Sequence, residues 1–188
     1  GKFENDPWPE KGGAQLVRFL RPRLEAALKA DDDFELINLF HRNGPFADRL
    51  YAGTELLLKV AEAHRRLGFP IESARLFQSL IRDSKAEAFH EVALMGLGDG
   101  YLEQKDMRAA RAVFERYRLQ FPVGRFAGQA LIGILTSFEG EGNTSGLVKL
   151  GKQWLIHNPR HPDRALVQLK VADALRQAKR DAEAAPLY

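Results

Sequence analysis

The sequence predicts an all-α fold, a right-handed superhelical solenoid built from antiparallel helix pairs. Two observations predict it. Apolar residues recur at three- and four-residue spacing, as they do along one face of a helix, and these amphipathic segments repeat about every 37 residues. A single pair of short helices cannot bury its apolar faces, so each pair is expected to stack on its neighbouring copies.

The repeat is clearest between Leu94 and Pro122, where two helix patterns flank a polar turn. Asp106 lies in this turn, where it can cap the second helix. Pro122 follows the second helix, which a proline cannot continue. One column of the first helix is spaced by 37 residues throughout: His64, Tyr101, Phe138 and Leu175. A column of the second helix is spaced by 36, 37 and 37 residues: Ala74, Ala110, Leu147 and Ala184.

Small and aromatic residues in the first helix, alanine and an aromatic residue in the second, and a terminal proline resemble the tetratricopeptide repeat. The second repeat matches best: Leu97, Gly98, Tyr101, Ala110, Phe114 and Pro122. The third departs, with Leu135 where the family favours a small residue and Gly151 where it favours an aromatic one. The period also exceeds the family's usual length of about 34 residues. Because its repeats have this longer period, the chain is similar to tetratricopeptide proteins of the bacterial cell envelope. That resemblance implies an envelope or periplasmic location, with a cytoplasmic one as the alternative.

The chain divides by pattern into three parts. Residues 1–12 are predicted to be a flexible tail or linker, because they contain two prolines and the start of a glycine pair. Residues 13–45 are predicted to be an N-terminal helical pair, either a capping unit or a degenerate repeat. Within this pair, Pro22 predicts a kink or break, and the aspartates 31–33 predict a helix cap. Residues 46–188 are predicted to hold four repeats, the last one truncated, so we expect a fragment of a longer protein.

Helix boundaries follow from proline and glycine positions. The first helix of the first clear repeat is predicted over 46–67, with Gly68 ending it and Pro70 opening the next helix. The second repeat is predicted from about Glu87, and the third over 126–138 and 144–156. The fourth is predicted to begin at Pro162.

Composition and motifs argue against catalysis. The chain has no cysteine, which excludes disulfides and thiolate chemistry, and its net charge is only +3. His157 and His161 have the spacing of helical zinc ligands, but Pro159 breaks the helix between them. His64 lies in a packing column and is predicted to be a core residue, and neither His41 nor His90 has an apparent partner. We therefore expect no enzyme activity, no metal and no cofactor.

The resemblance implies that the first helix of each pair lines a concave, peptide-binding groove. One groove column is aliphatic: Leu58, Met95, Ile132 and Leu169. The next is mostly acidic: Glu62, Asp99, Thr136 and Asp173. A third is mixed: Arg65, Leu102, Glu139 and Arg176. Exposed aliphatic residues beside available carboxylates predict a partner segment with aliphatic anchors and Lys or Arg. Family members that grip a C-terminal carboxylate use basic residues here, so that ligand is not expected.

Two functions of different classes remain. The favoured one is a scaffold for a peptide or partner protein within a bacterial envelope assembly. The alternative is a helical-repeat module that binds nucleic acid, suggested by the basic second helices but opposed by the acidic groove column. Three apolar residues near the end, Leu175, Leu187 and Tyr188, are predicted to present surface for a further helix or another contact.

Overall fold

The computed structural model describes residues 8–42, 51 and 54–188, with side chains described from residue 18 onward. Every regular element in these residues is a helix, which confirms the predicted all-α class. The chain divides into two compact units, residues 1–93 and residues 94–188.

The described residues of the first unit form four complete α-helices, arranged as two consecutive pairs. They are α1 (Trp8–Lys29), α2 (Asp33–Arg42), α3 (Glu55–Arg66) and α4 (Pro70–Arg82). Helix α2 packs against both α1 and α3, and α3 packs against α4. The buried core between them is built from leucine and aromatic side chains, among them Leu24, Phe40, Leu57 and Phe77.

A 3-10 helix, Ser84–Phe89, leads into α5 (His90–Glu103), which begins in the first unit and ends in the second. The second unit continues through α6 (Met107–Gln120), α7 (Ala127–Gly140), α8 (Thr144–His157), α9 (Arg164–Gln177) and α10 (Asp181–Ala184), followed by a 3-10 turn. Each helix from α6 to α10 packs on the next one. We call α1, α3, α5, α7 and α9 the first helices of their pairs, and the even-numbered helices the second helices.

A left-handed residue follows the end of every first helix. These residues lie 37 positions apart: Asp31 (φ 50°), Gly68 (φ 79°), Lys105 (φ 60°), Gly142 (φ 68°) and Lys179 (φ 58°). A left-handed residue at this point reverses the chain and ends the helix. Because Asp31 falls on the same register, α1 and α2 turn in the same way as the four later pairs.

The caps of the second helices follow this register too. Asp106 accepts a hydrogen bond from the backbone N–H of Ala109 at 3.0 Å, which confirms the predicted cap. The equivalent Asp32 and Asn143 each accept from the N–H three residues further on, at 2.9 Å. Pro70 opens α4 at its first turn, as predicted.

Two boundaries at the start of the chain differ from the sequence prediction. Helix α1 begins at Trp8, inside the segment predicted as a tail, while residues 1–7 lie outside the described part. The helix also continues unbroken through Pro22. Pro22 is exposed, so the carbonyl that loses its helical partner there can be hydrated instead.

The first helix of the first clear repeat is shorter than predicted. Helix α3 begins at Glu55 rather than near residue 46, because Thr54 caps it. The Thr54 hydroxyl oxygen accepts from the N–H of Leu57 at 3.4 Å and donates to the carbonyl of Tyr51 at 2.6 Å. The turn predicted at Gly44 and Pro45 lies outside the described residues.

The column of small residues predicted through Ala74 is offset by one position. Ser73 is the buried residue, 2% exposed, and its hydroxyl donates to the carbonyl of Ala61 at 3.0 Å. Ala74 is only half-buried. With Ser73 in place of Ala74, the four residues of the column, from Ser73 to Ala184, are each 37 positions apart.

The two departures from the family pattern in the third repeat compensate each other. In the second repeat, the Phe114 ring fills the space in front of Gly98, where an added Cβ would lie 2.5 Å from it. In the third, the equivalent positions hold Leu135 and Gly151, with the large and small side chains exchanged. Leu135 is fully buried, and an added Cβ on Gly151 would lie 3.9 Å from it and 2.3 Å from Val171.

Candidate functional site

The aliphatic column of the predicted groove is not a uniformly exposed stripe. Leu58 and Met95 are only 5% and 8% exposed, Ile132 is half-buried against the core of the second unit, and Leu169 is 46% exposed. The prediction of an exposed stripe is therefore wrong for Leu58 and Met95. The buried face of an amphipathic helix spans about 100° or more, and these positions lie within its margin.

The acidic column is also less available than predicted. Glu62 lies 3.5 Å from the Lys59 ammonium, and Asp173 accepts a hydrogen bond from the Tyr188 hydroxyl at 2.7 Å. Asp99 likewise has a bonding or electrostatic partner within the protein. The prediction that these carboxylates lack partners is wrong, because polar side chains one turn away or from the chain end reach them.

The remaining groove residues take different environments. Thr136 and Leu102 are half-buried. Arg65 is half-buried and has a partner within the protein, whereas Arg176 is exposed and lies 3.4 Å from Asp173. Glu139 is paired with Lys170 at 2.9 Å.

A cavity of about 850 Å³ opens in the first unit between α1, α2 and α3. Three of its lining residues are Arg21, Glu25 and Leu28, which lie on α1. Each precedes a predicted groove residue of α3 by 37 positions: Leu58, Glu62 and Arg65 respectively. The cavity therefore lies on the predicted face of the first helices, one repeat earlier than the groove columns began.

Carboxylates outnumber cations around this cavity. Its six acidic lining residues are Glu25, Asp31, Asp32, Asp33, Glu55 and Glu62. Its three basic lining residues are Arg21, Lys59 and Arg66. The floor is apolar: Leu24 and Leu36 are 1% and 2% exposed, and Leu28 and Leu56 are half-buried beside them. We call this space the α1–α3 cavity.

The cations at the α1–α3 cavity already have carboxylate partners. Arg66 donates two hydrogen bonds to Asp33, at 2.7 and 2.6 Å, which fixes α3 against the start of α2. These bonds lower the pKa of the Asp33 carboxyl and raise the pKa of the Arg66 guanidinium. Arg21 lies 3.2 Å from Glu25, and Lys59 lies 3.5 Å from Glu62.

Three of the six carboxylates are left without a cationic partner among the described side chains. Asp32 is used as a helix cap, but among the described residues Asp31 and Glu55 have no side-chain hydrogen bond or ion pair. Both are exposed and line the same cavity. A cationic group that enters the cavity therefore meets two exposed carboxylates that no described side chain holds in an ion pair.

The histidines contain one pair that the sequence did not reveal. His64 is 1% exposed, which confirms its predicted place in the core, and its Nε2 lies 2.9 Å from Nε2 of His41. His64 Nδ1 donates to the carbonyl of Val60 at 2.7 Å, so its Nε2 accepts and His41 donates. No group of three or more metal-binding side chains occurs within the described residues.

The end of the second unit is more enclosed than predicted. Leu175 is fully buried, because α10 and the 3-10 turn after it pack on α9, so its predicted exposure is wrong. Leu187 is half-buried, and its carbonyl accepts a hydrogen bond from the Gln168 amide at 2.7 Å. Tyr188 is 63% exposed.

Comparison with known proteins supports the fold. No model of a protein family matches the chain, and no curated protein matches it. Among solved structures, the MamA protein is similar with a TM-score of 0.69 and 11% identity, over 93% of this chain and 88% of that one. A putative kinesin light chain of Podosopora anserina with nearly identical TPR-like repeats is similar with a TM-score of 0.65 and 14% identity, over 91% and 90%.

A variant form of the same kinesin light chain gives a TM-score of 0.64 and 15% identity, over 97% of this chain and 93% of that one. At identities this low, the similarity shows only that the folds are alike. None of the described helices is long and apolar enough to cross a membrane. The paired helices, the left-handed turns at a constant period and these structural neighbours together show that the chain has the TPR-like helical-repeat fold.

Proposed function

We propose that this protein is an interaction scaffold, which binds a peptide or a segment of a partner protein along the exposed face of its first helices. The α1–α3 cavity is the observation that carries the proposal. It lies on the face expected to bind, and its volume of about 850 Å³ falls within the range of about 300–1,000 Å³ that is usual for binding pockets.

Exposed side chains on α9, a first helix of the second unit, also support binding to the first helices. Leu166 and Leu169 of α9 are each 46% exposed, and Arg176 lies exposed two turns further along. Exposed leucines on the same helix face as a charged side chain suit an amphipathic segment. Two exposed leucines form a smaller feature than the cavity, so we assign them a supporting role.

Site-specific photo-crosslinking tests the proposal. A photoreactive amino acid is placed on the first helices at Leu28 or Leu169, or on the second helices at the controls Ile71 or Ile156, both 74% exposed. We expect one discrete protein adduct from the first-helix positions and none from the controls. Adducts from the controls alone would move the binding surface to the second helices.

The same experiment addresses the nucleic-acid alternative. The second helices carry several arginines, for example Arg108, Arg111 and Arg116 of α6. If RNA were the ligand, crosslinks would appear at Ile71 or Ile156 and RNA binding would weaken steeply with added salt. We expect neither result.

We also propose that the scaffold acts in the bacterial cell envelope, on the strength of its long repeat and of the sequence around Pro122 and Pro159. Fractionation of cells that express the full-length protein tests this. Recovery from the cytoplasm alone would overturn the envelope location and leave the binding proposal standing.

A further inference from the structure

We propose that the α1–α3 cavity is a subsite for a lysine or arginine side chain of the partner, next to an aliphatic residue that packs on the cavity floor. This rests on the proposed function and gives the partner a defined chemistry. It also places this contact in the first unit.

Charge complementarity gives the first argument. The six carboxylates at the cavity face three cations, and each of these cations already lies close to a carboxylate. The surplus negative charge lies at Asp31, Asp32 and Glu55, which no described cationic side chain holds in an ion pair. A cation that enters the cavity is attracted by these carboxylates, whereas an acidic segment would be repelled.

The position of Asp31 gives the second argument. It is the left-handed residue after α1, and the other four residues of this register are glycine or lysine. A helix C-terminus carries partial negative charge and favours a cation, so Lys105 and Lys179 suit their positions and Asp31 opposes its own. Asp31 also contributes least among the three carboxylates that raise the pKa of Arg66. The end of α1 therefore does not account for an acid here. The start of α2 at Asp33 favours one, and a cation bound in the cavity would be attracted to the same carboxylate.

The cavity floor gives the third argument. Leu28 and Leu56 are half-buried beside the fully covered Leu24. The methylene stem of a lysine or arginine packs on such a surface while its charged end reaches the rim. Glu55 lies in the first turn of α3, where the helix dipole favours a negative charge.

Synthetic peptides test the chemistry directly. The probe is a capped seven-residue peptide with a central Leu-Lys-Leu, and its matched forms carry acetyl-lysine, glutamate, or serine in place of both leucines. In calorimetric titrations, we expect the lysine peptide to bind about fivefold or more tightly than the acetyl-lysine form. The glutamate form should not bind, and the serine form should bind more weakly. Equal affinity for the lysine and acetyl-lysine peptides would overturn the proposal.

Substitutions assign the effect to the cavity. The test variant combines Asp31→Lys with Glu55→Gln. The control combines Glu87→Lys with Glu115→Gln, which changes the net charge equally at exposed carboxylates outside the cavity. We expect about tenfold weaker binding of the lysine peptide by the test variant, and less than a twofold change for the control. Equal weakening by both would reduce the effect to net charge and contradict a defined subsite.

Stability serves as the independent readout. Because lysine occupies the same left-handed position at Lys105 and Lys179, Asp31→Lys should keep the helical circular dichroism and a melting temperature no lower than that of the unsubstituted protein. If the double variant does not fold, Asp31→Asn alone is used, with a smaller expected loss of affinity.

The two proposals fail separately. If the lysine peptide does not bind while crosslinks still form at Leu169, the lysine subsite is wrong and the scaffold function stands. If no first-helix position crosslinks and no peptide binds, both are wrong.

Discussion

At the scale of single residues, the Phe114 ring of the second unit is fully buried. It lies between two glycines, Gly98 of α5 and Gly133 of α7, and an added Cβ would come within 2.5 Å of the ring on one side and 2.4 Å on the other. Contacts below 3 Å are not tolerated in a close-packed core, so the ring or a helix would have to move. Glycine at both positions is therefore a packing requirement.

Gly133→Ala should lower the free energy of unfolding by about 1–2 kcal/mol, since overpacking outweighs the gain in helix propensity. Gly140→Ala is the matched control on the same helix. There the added Cβ meets only the flexible side chain of Met107, at 2.7 Å from its sulfur, so we expect a change within about 0.5 kcal/mol of zero. Urea unfolding measures both, and equal effects would show that ring enclosure is not the cause.

The His41–His64 pair makes the first unit sensitive to pH. Burial is the largest contribution that lowers the pKa of His64, and the nearby His41 and Arg75 lower it further. The hydrogen bond to Val60 and the charge of Glu72 oppose this shift. A protonated His64 would also lose its role as acceptor for His41. The folded protein therefore favours neutral His64.

The unfolded chain then binds more protons than the folded one once the pH falls below about 6.5, the ordinary histidine pKa. His64 should therefore contribute its full stability above that pH and lose it as the pH falls, with a slope of at most about 1.4 kcal/mol per pH unit. His64→Phe, the residue type of Phe138 in the same column, should flatten this part of the profile. Identical slopes in the two proteins would assign the pH dependence to other groups.

At the scale of helices, each turn between the two helices of a pair combines a left-handed residue with the cap of the second helix. Asp106 and Asn143 supply a side-chain cap, whereas the equivalent Phe69 and Arg180 make no side-chain cap bond. The turn thus keeps its backbone shape when the capping side chain changes. Capping adds stability at some turns and is dispensable at others.

Asp106→Ala should cost about 1 kcal/mol, because the N–H of Ala109 loses its acceptor. Arg180→Ala tests the same position where no cap bond exists. It removes only an exposed ion pair with Glu183, so its cost should stay below about 0.5 kcal/mol. Thermal unfolding compares the two, and an equal loss at both positions would contradict the role of the cap.

At the scale of the whole molecule, the 37-residue register was readable in the sequence because buried columns keep their residue class. The positions of the left-handed residues could be predicted only in part from the sequence. Gly68 was predicted, but Lys105 and Lys179 carry no sign of a positive φ. The offset between Ala74 and Ser73 was missed because a buried serine that bonds a backbone carbonyl does not resemble the alanine of its column.

The candidate site was predicted less well than the fold. Exposure depends on how neighbouring helices cover a side chain, and one helix pattern does not contain that information, as Leu58 and Met95 show. The α1–α3 cavity was missed because the groove columns were not extended to α1. A signal was available, since Glu25 precedes Glu62 by one repeat length. The partners of Glu62 and Asp173 could be assigned only from the structure.

The exchanged large and small residues of the second and third repeats constrain how such a gene can recombine. Exchange at the junctions between repeats keeps Gly98 with Phe114 and Leu135 with Gly151, so recombination in steps of 37 codons preserves these two pairs. A crossover inside a turn would instead join Gly98 to Gly151, which leaves a void, or Leu135 to Phe114, which overfills the same space. The contact of Phe114 with Gly133 crosses a junction, so a tolerated breakpoint there must also place a glycine opposite the ring. Viable recombinants should therefore carry their breakpoints between repeats, at junctions that keep both kinds of contact.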